Sequence, residues 1–132
     1  MSQENVEGVR KIHDAWQRGV SPASLGLLRP DIEWINPEGA FEPGTRRGLA
    51  SFEAAIASMI EAFDSMSVKA REFLDAGDRV VVVATFIARG RASGIQRENE
   101  DGYVWTVRDG QAVQFRWFND PAKALEAAGL RE

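Results

Sequence analysis

The sequence predicts an α+β fold. Apolar residues recur at helical spacing through the opening segment and again after residue 48. Strand periodicity then dominates from residue 67 to 118, broken at Gly77-Asp78, Gly94 and Asp109-Gly110. A chain of 132 residues holds one domain with a real core and is too short for two, so residues 1–132 are expected to form a single domain.

The first helix is expected from a Ser2 cap, with Val6, Val9, Ile12, His13 and Trp16 on one face and Gly19 just past its end. Ser21-Pro22 restarts a short helix through Leu28, stopped by Pro30. Residues 31–36 alternate as a strand, with Ile32, Trp34 and Asn36 sharing a face and Pro37 ending it. Residues 37–48 carry two prolines and three glycines and are expected to be loop. Leu49, Phe52, Ile56, Met59, Ile60 and Phe63 mark another helix.

Strands follow at 67–76, 79–91, 95–107 and 111–118, then a short helix at 122–128 led by Asp120-Pro121 and ended by Gly129. For the last hairpin, a three-residue loop Arg108-Asp109-Gly110 gathers the large rings on one side. That register places Trp105 opposite Val113 and Tyr103 opposite Phe115. A two-residue loop would set Trp105 opposite Gln114.

Composition excludes several kinds of chemistry. With no cysteine, disulfides and thiolate catalysis are ruled out, and a single histidine rules out a multi-histidine metal site. No metal site or cofactor is expected. A net charge of −4 without a basic run argues against nucleic acid. No secretory signal or membrane span is evident, so a soluble cytoplasmic protein is expected. Gly-rich phosphate loops and nucleophile elbows are absent.

Several segments, taken in order, carry a resemblance. They are Val9–Gly19, Asp31–Pro37, Arg47-Gly48, Asp75–Val81, Tyr103–Gly110 and Ala124–Leu130. Together they resemble the SnoaL-like branch of the nuclear transport factor 2-like superfamily, across nearly the whole chain. The resemblance implies a cystatin-like cone: a strongly curved antiparallel sheet packed on the N-terminal helices, with a pocket at its open end. Relatives include ketosteroid isomerase, polyketide cyclases, limonene epoxide hydrolase, scytalone dehydratase and pure binding proteins, many of them homodimers through the sheet.

Against that family, Asn36 stands where the isomerase has its aspartate base, and Ile12 where it has a first-helix tyrosine. Asparagine cannot take a proton at neutral pH, so Asn36 is expected to orient a ligand or water, or to cap its strand end. Tyr103 falls where the isomerase places the acid of its oxyanion hole, so it can donate to a carbonyl oxygen or serve as a core tyrosine. Trp117 replaces an acid of the epoxide hydrolase.

Asp101, Tyr103 and His13 are the candidate catalytic residues. Asp101 shares strand parity with Tyr103 and Trp105, and burial among rings would raise its pKa toward that of a working base. Its stretch Glu98–Gly102 is also acidic and turn-like, which fits a solvated loop carboxylate. His13 is the natural proton shuttle, or a packed helix-face histidine expected near Asn36 or Trp117. Trp34, Phe41, Met59, Phe63, Trp105 and Phe115 are expected as wall residues. Trp16, Asn36, Trp117 and Asn119 complete the ligand-binding set, with the Asn119 amide at the pocket floor. Arg89 and Arg91 are expected as a solvated edge, or as dimer contacts with Glu98 and Glu100.

Two functions follow. One is binding of a small hydrophobic molecule, with cofactor-free acid–base catalysis. The other is a non-catalytic dimerising domain whose cavity is filled by its own side chains.

Overall fold

A computed structural model describes residues 2–37, 39 and 44–130. The elements are α1 (Ser2–Gln17), a 3-10 turn (Pro22–Leu25), β1 (Leu28–Asn36), β2 (Gly44–Arg47) and α2 (Leu49–Ala62). After them come β3 (Phe63–Ala76), β4 (Arg79–Gly90), β5 (Gln96–Arg108), β6 (Gln111–Phe118) and α3 (Pro121–Ala127). The six strands form one sheet in the order β2-β1-β6-β5-β4-β3. Every neighbouring pair is antiparallel except β1–β6, which is parallel. The α+β expectation is met.

Register shifts interrupt β1, β3 and the β5–β6 pair. Such bulges sharpen twist and bend strands, and they curve this sheet around α1 and α2. The inner face carries the main core, built on Val9 and Ile12 of α1, Phe52 of α2 and the rings of β1, β5 and β6. Two side chains tie α1 to the sheet: Asn5 donates to the Gly77 carbonyl at 3.0 Å, and the Gln17 amide donates to the Val68 carbonyl. On the outer face, α3 covers a smaller cluster of Val81, Val104 and Phe118. Asp120 caps α3 by accepting from the Ala122 N–H at 3.0 Å.

Phe63, expected on the helix, instead opens β3, which starts four residues earlier than expected. Three larger expectations also change. The restarted helix is only the 3-10 turn Pro22–Leu25, ended by left-handed Gly26, and β1 begins at Leu28. Pro30 therefore lies inside a strand, within the stretch where the β1–β6 register shifts and a missing N–H is tolerated. The 37–48 loop contains β2, a polar edge strand whose Arg47 meets Glu33 at 2.6 Å. Thr-Arg-Arg shows no apolar alternation, because an edge strand here has no core to face.

The third change concerns the β5–β6 hairpin. Its loop is the two residues Asp109 and Gly110, both with positive φ (52° and 77°). This is the geometry of a tight hairpin turn. Arg108 pairs with Gln111, and Val107 with Ala112. A bulge then absorbs one residue, so Thr106 pairs with Gln114, Trp105 with Phe115 and Tyr103 with Trp117. The rings do share a face. The bulge, rather than a longer loop, puts them there.

Candidate functional site

β5 places Asp101, Tyr103 and Trp105 on the inner face, because alternate residues of a strand point the same way. The Glu98–Gly102 stretch is continuous strand rather than turn, and Asp101 is 8% exposed. The solvated-loop reading of Asp101 is thereby overturned. Tyr103 Oη donates to Asp101 Oδ2 at 3.2 Å, and Asn99 Nδ2 donates to Oδ1 at 2.6 Å. Burial raises the Asp101 carboxyl above its ordinary pKa, against the lowering effect of these two hydrogen bonds, and the neighbouring Glu100 charge adds to the rise. Burial also raises the Tyr103 phenol, and the carboxylate beside it adds to this. The hydroxyl stays a donor.

α1 supplies His13 and Trp16. The His13 ring stacks on Tyr103 at 5.9 Å and meets Trp16, Phe73 and Trp105 edge-on. His13 Nε2 accepts from the Trp105 indole N–H at 3.1 Å. An indole can only donate, so Nε2 is the bare nitrogen and the ring is neutral. Burial lowers the His13 pKa to about 3. His13 meets Tyr103 and Trp105, not the Asn36 or Trp117 expected from sequence. Tyr103 connects it to Asp101, stacking on one and hydrogen-bonding the other. Trp16 Nε1 is buried with no hydrogen-bond partner among the described residues.

Beside β5, β6 contributes Phe115 and Trp117, and β1 contributes Trp34 and Asn36. Trp105, Phe115, Trp34 and Phe52 are in successive ring contact, at 4.5, 4.7 and 5.2 Å between centroids. Asn36 Oδ1 accepts from both Trp34 Nε1, at 2.7 Å, and Trp117 Nε1, at 2.6 Å. One side-chain oxygen thus serves two indole donors. Met59 and Phe63 are partly buried, Met59 packing against the core cluster and Phe63 against Phe86 at 5.8 Å. Phe41 lies outside the described residues. Asn119 is exposed, and its backbone oxygen, not its amide, meets the cluster by accepting from Asn99 at 3.2 Å.

A surface groove of about 400 Å³ runs between α1 and β3, with Arg10, Asp14, Gln17 and Lys69 in its walls and His13 at its base. Neither Asp101 nor Tyr103 lines it.

Residues 9–115 match the SnoaL-like domain. The chain belongs to the SnoaL-like family. An NTF2-like protein of unknown function from Burkholderia pseudomallei is 29% identical, with a TM-score of 0.78 over 96% of this chain and 97% of its own. TerC, in a structure co-crystallised with polyporic acid, is 27% identical, with a TM-score of 0.77 over 96% of this chain and 98% of its own. In sequence, 125 residues are 30% identical to a xanthine phosphoribosyltransferase of Staphylococcus saprophyticus, covering 94% of this chain. The chain spans 63% of that relative's length.

Within this SnoaL-like domain, sequence reasoning missed Asn99, which holds the second carboxylate oxygen of Asp101. The signal was parity: residues 99, 101 and 103 alternate on one strand face. Arg89 and Arg91 are both exposed, which fits the solvated-edge reading. Arg91 donates to the Glu61 and Phe63 carbonyls at 3.1 and 3.0 Å, and Glu100 pairs with Arg71 at 2.5 Å. Among the described residues no group of three or more His, Asp or Glu side chains is placed to hold a metal, and no helix is long and apolar enough to cross a membrane.

Proposed function

We propose that this SnoaL-like domain binds a small apolar ring compound on the inner face of its sheet and performs acid–base chemistry there with Asp101 and Tyr103. One observation carries the reading: a carboxylate buried among rings, hydrogen-bonded to a phenol on the same strand face. TerC, a relative crystallised with polyporic acid, supports a planar oxygenated ligand.

In this scheme Asp101 removes a proton from carbon next to a carbonyl. The electron pair moves to the carbonyl oxygen. Once protonated, Oδ2 no longer needs the Tyr103 hydrogen, and the hydroxyl is released to the developing oxyanion. Return of the proton to another carbon completes an isomerisation; attack by the enolate carbon on a second carbonyl, whose π bond breaks and whose oxygen takes the proton back from Asp101, completes a cyclisation. Asn99 holds Asp101 in place. His13, neutral and with its Nε2 engaged, positions the Tyr103 ring. Proton transfer of this kind needs no cofactor.

Burial of Trp34 and Trp105 in mutual ring contact through Phe115 favours a second reading, a side-chain-filled domain that dimerises through the sheet. Tryptophan fluorescence and thermal shift against cyclic ketones and phenols separate the two. Response to ring ketones supports the first. Silence across the library, with a dimer in sedimentation velocity, supports the second.

A further inference from the structure

Asn36 does not face its partners as an ordinary polar residue would. Its side-chain oxygen accepts from two indole N–H groups, from Trp34 on its own strand and from Trp117 on the parallel strand β6. Indoles only donate, so the atom between them is the carboxamide oxygen and its orientation is unambiguous. One oxygen thereby ties two tryptophans across a strand boundary.

The two indoles differ in what surrounds them. Trp34 is buried, with Phe52 and Phe115 against it. Trp16 and Trp105 also pack on other rings. Trp117 is half-buried, and no ring–ring contact among the described residues involves it. Its register partner is Tyr103, whose hydroxyl bonds Asp101. Trp117 is partly exposed and packs against the edge of the main core cluster, one strand away from the polar pair, with its N–H already used.

The geometry points to Asn36 as a positioning residue: it fixes the plane of Trp117 as a stacking platform, selecting flat aromatic rings whose oxygen reaches Asp101 and Tyr103. This rests on the ligand-binding reading above. An indole with its N–H satisfied offers a ligand only carbon surface, which favours offset stacking on a planar ring over contact with a puckered one.

The test uses two probes of equal carbon skeleton, 2-naphthol and decahydro-2-naphthol, titrated by calorimetry. A second readout, hydrogen exchange of the indole N–H signals by NMR, needs no ligand. Wild type is expected to bind 2-naphthol about tenfold more tightly than the saturated alcohol. Asn36→Leu removes the shared acceptor. It should speed exchange at Trp34 and Trp117 about tenfold, spare Trp105, and weaken 2-naphthol about tenfold. Asn36→Asp keeps an oxygen between the indoles and should retain both properties.

Equal binding of the two probes overturns the platform. So does faster exchange in Asn36→Leu with unchanged 2-naphthol affinity. Wild type that protects both indoles yet binds neither probe overturns the ligand-binding reading, and the platform with it. Should Asn36→Leu fail to fold, Trp117→Leu decides, since it must lose the preference for the flat probe.

Discussion

Tyr103 Oη and Asp101 Oδ2 stand 3.2 Å apart on one strand face, and neither group faces bulk water. The carboxyl pKa is raised and the phenol stays protonated, which fits the proposal that Asp101 takes a proton while Tyr103 donates a hydrogen bond. Asp101→Asn keeps the shape and an oxygen for one donor but cannot take a proton. With any ring-ketone substrate, turnover should fall about 100-fold or more, while binding changes little. Unchanged turnover would remove Asp101 as the base.

The same substitution has a stability signature. A carboxyl whose folded pKa is raised keeps its proton longer in the native state than in the unfolded one. Its effect on stability is favourable at low pH and is lost as pH rises from the ordinary value of 3.8 through the raised folded value. Asp101→Asn should therefore gain stability relative to wild type as pH rises through that window. Urea titrations at pH 3 and pH 7 check this, and a constant difference would show that the carboxyl is not shifted.

His13 predicts the opposite slope. Its pKa falls from 6.5 to about 3 on burial, so the unfolded chain takes up a proton that the native state refuses. Stability is complete above 6.5 and is lost as pH falls from there toward about 3. His13→Phe removes that loss, but it leaves the Trp105 N–H without its acceptor, at a cost of about 1–3 kcal/mol. The variant should be weaker than wild type at pH 7, with the gap narrowing at pH 4. Parallel pH profiles in urea would mean that His13 charges in the folded protein.

Much of the site was legible because parity on a strand is a rigid rule. It put Asp101, Tyr103 and Trp105 together before any coordinates, as it put Trp34 beside Asn36. What parity could not give is register between strands. In the last hairpin, a two-residue turn plus a bulge and a three-residue turn both gather the rings, and only the backbone distinguishes them. Partners from distant elements were equally hidden. His13 accepts from Trp105, 92 residues away, and helix periodicity says which face His13 occupies but not which ring waits opposite.

Arg91 illustrates a contact with a plain stability role. Its guanidinium donates to the Glu61 and Phe63 carbonyls, where α2 runs into β3. Carbonyls at a helix end have no intrahelical donor, and this side chain supplies one. Arg91→Ala should cost about 1 kcal/mol in urea unfolding, without altering Trp fluorescence of the inner face. A neutral result would show that water serves these carbonyls equally well.

Gly102 separates the two faces of the site strand. Inward lie its neighbours Asp101 and Tyr103, and outward α3 lies directly against its backbone. A Cβ on Gly102 would stand 2.6 Å from Ala124 Cβ and 2.8 Å from Pro121 Cα, closer than packed atoms can be. Ala124 Cβ and the Pro121 backbone are both fixed to the helix and neither is a flexible side-chain tip, so Gly102→Ala must shift α3 or bend β5. The expected loss is about 1–3 kcal/mol, as for other overpacked positions. Because β5 also carries Asp101 and Tyr103, the same strain should reach the polar pair. Turnover on any substrate found should fall along with stability. Stability lost with turnover intact would show that α3 yields alone and the strand holds its line.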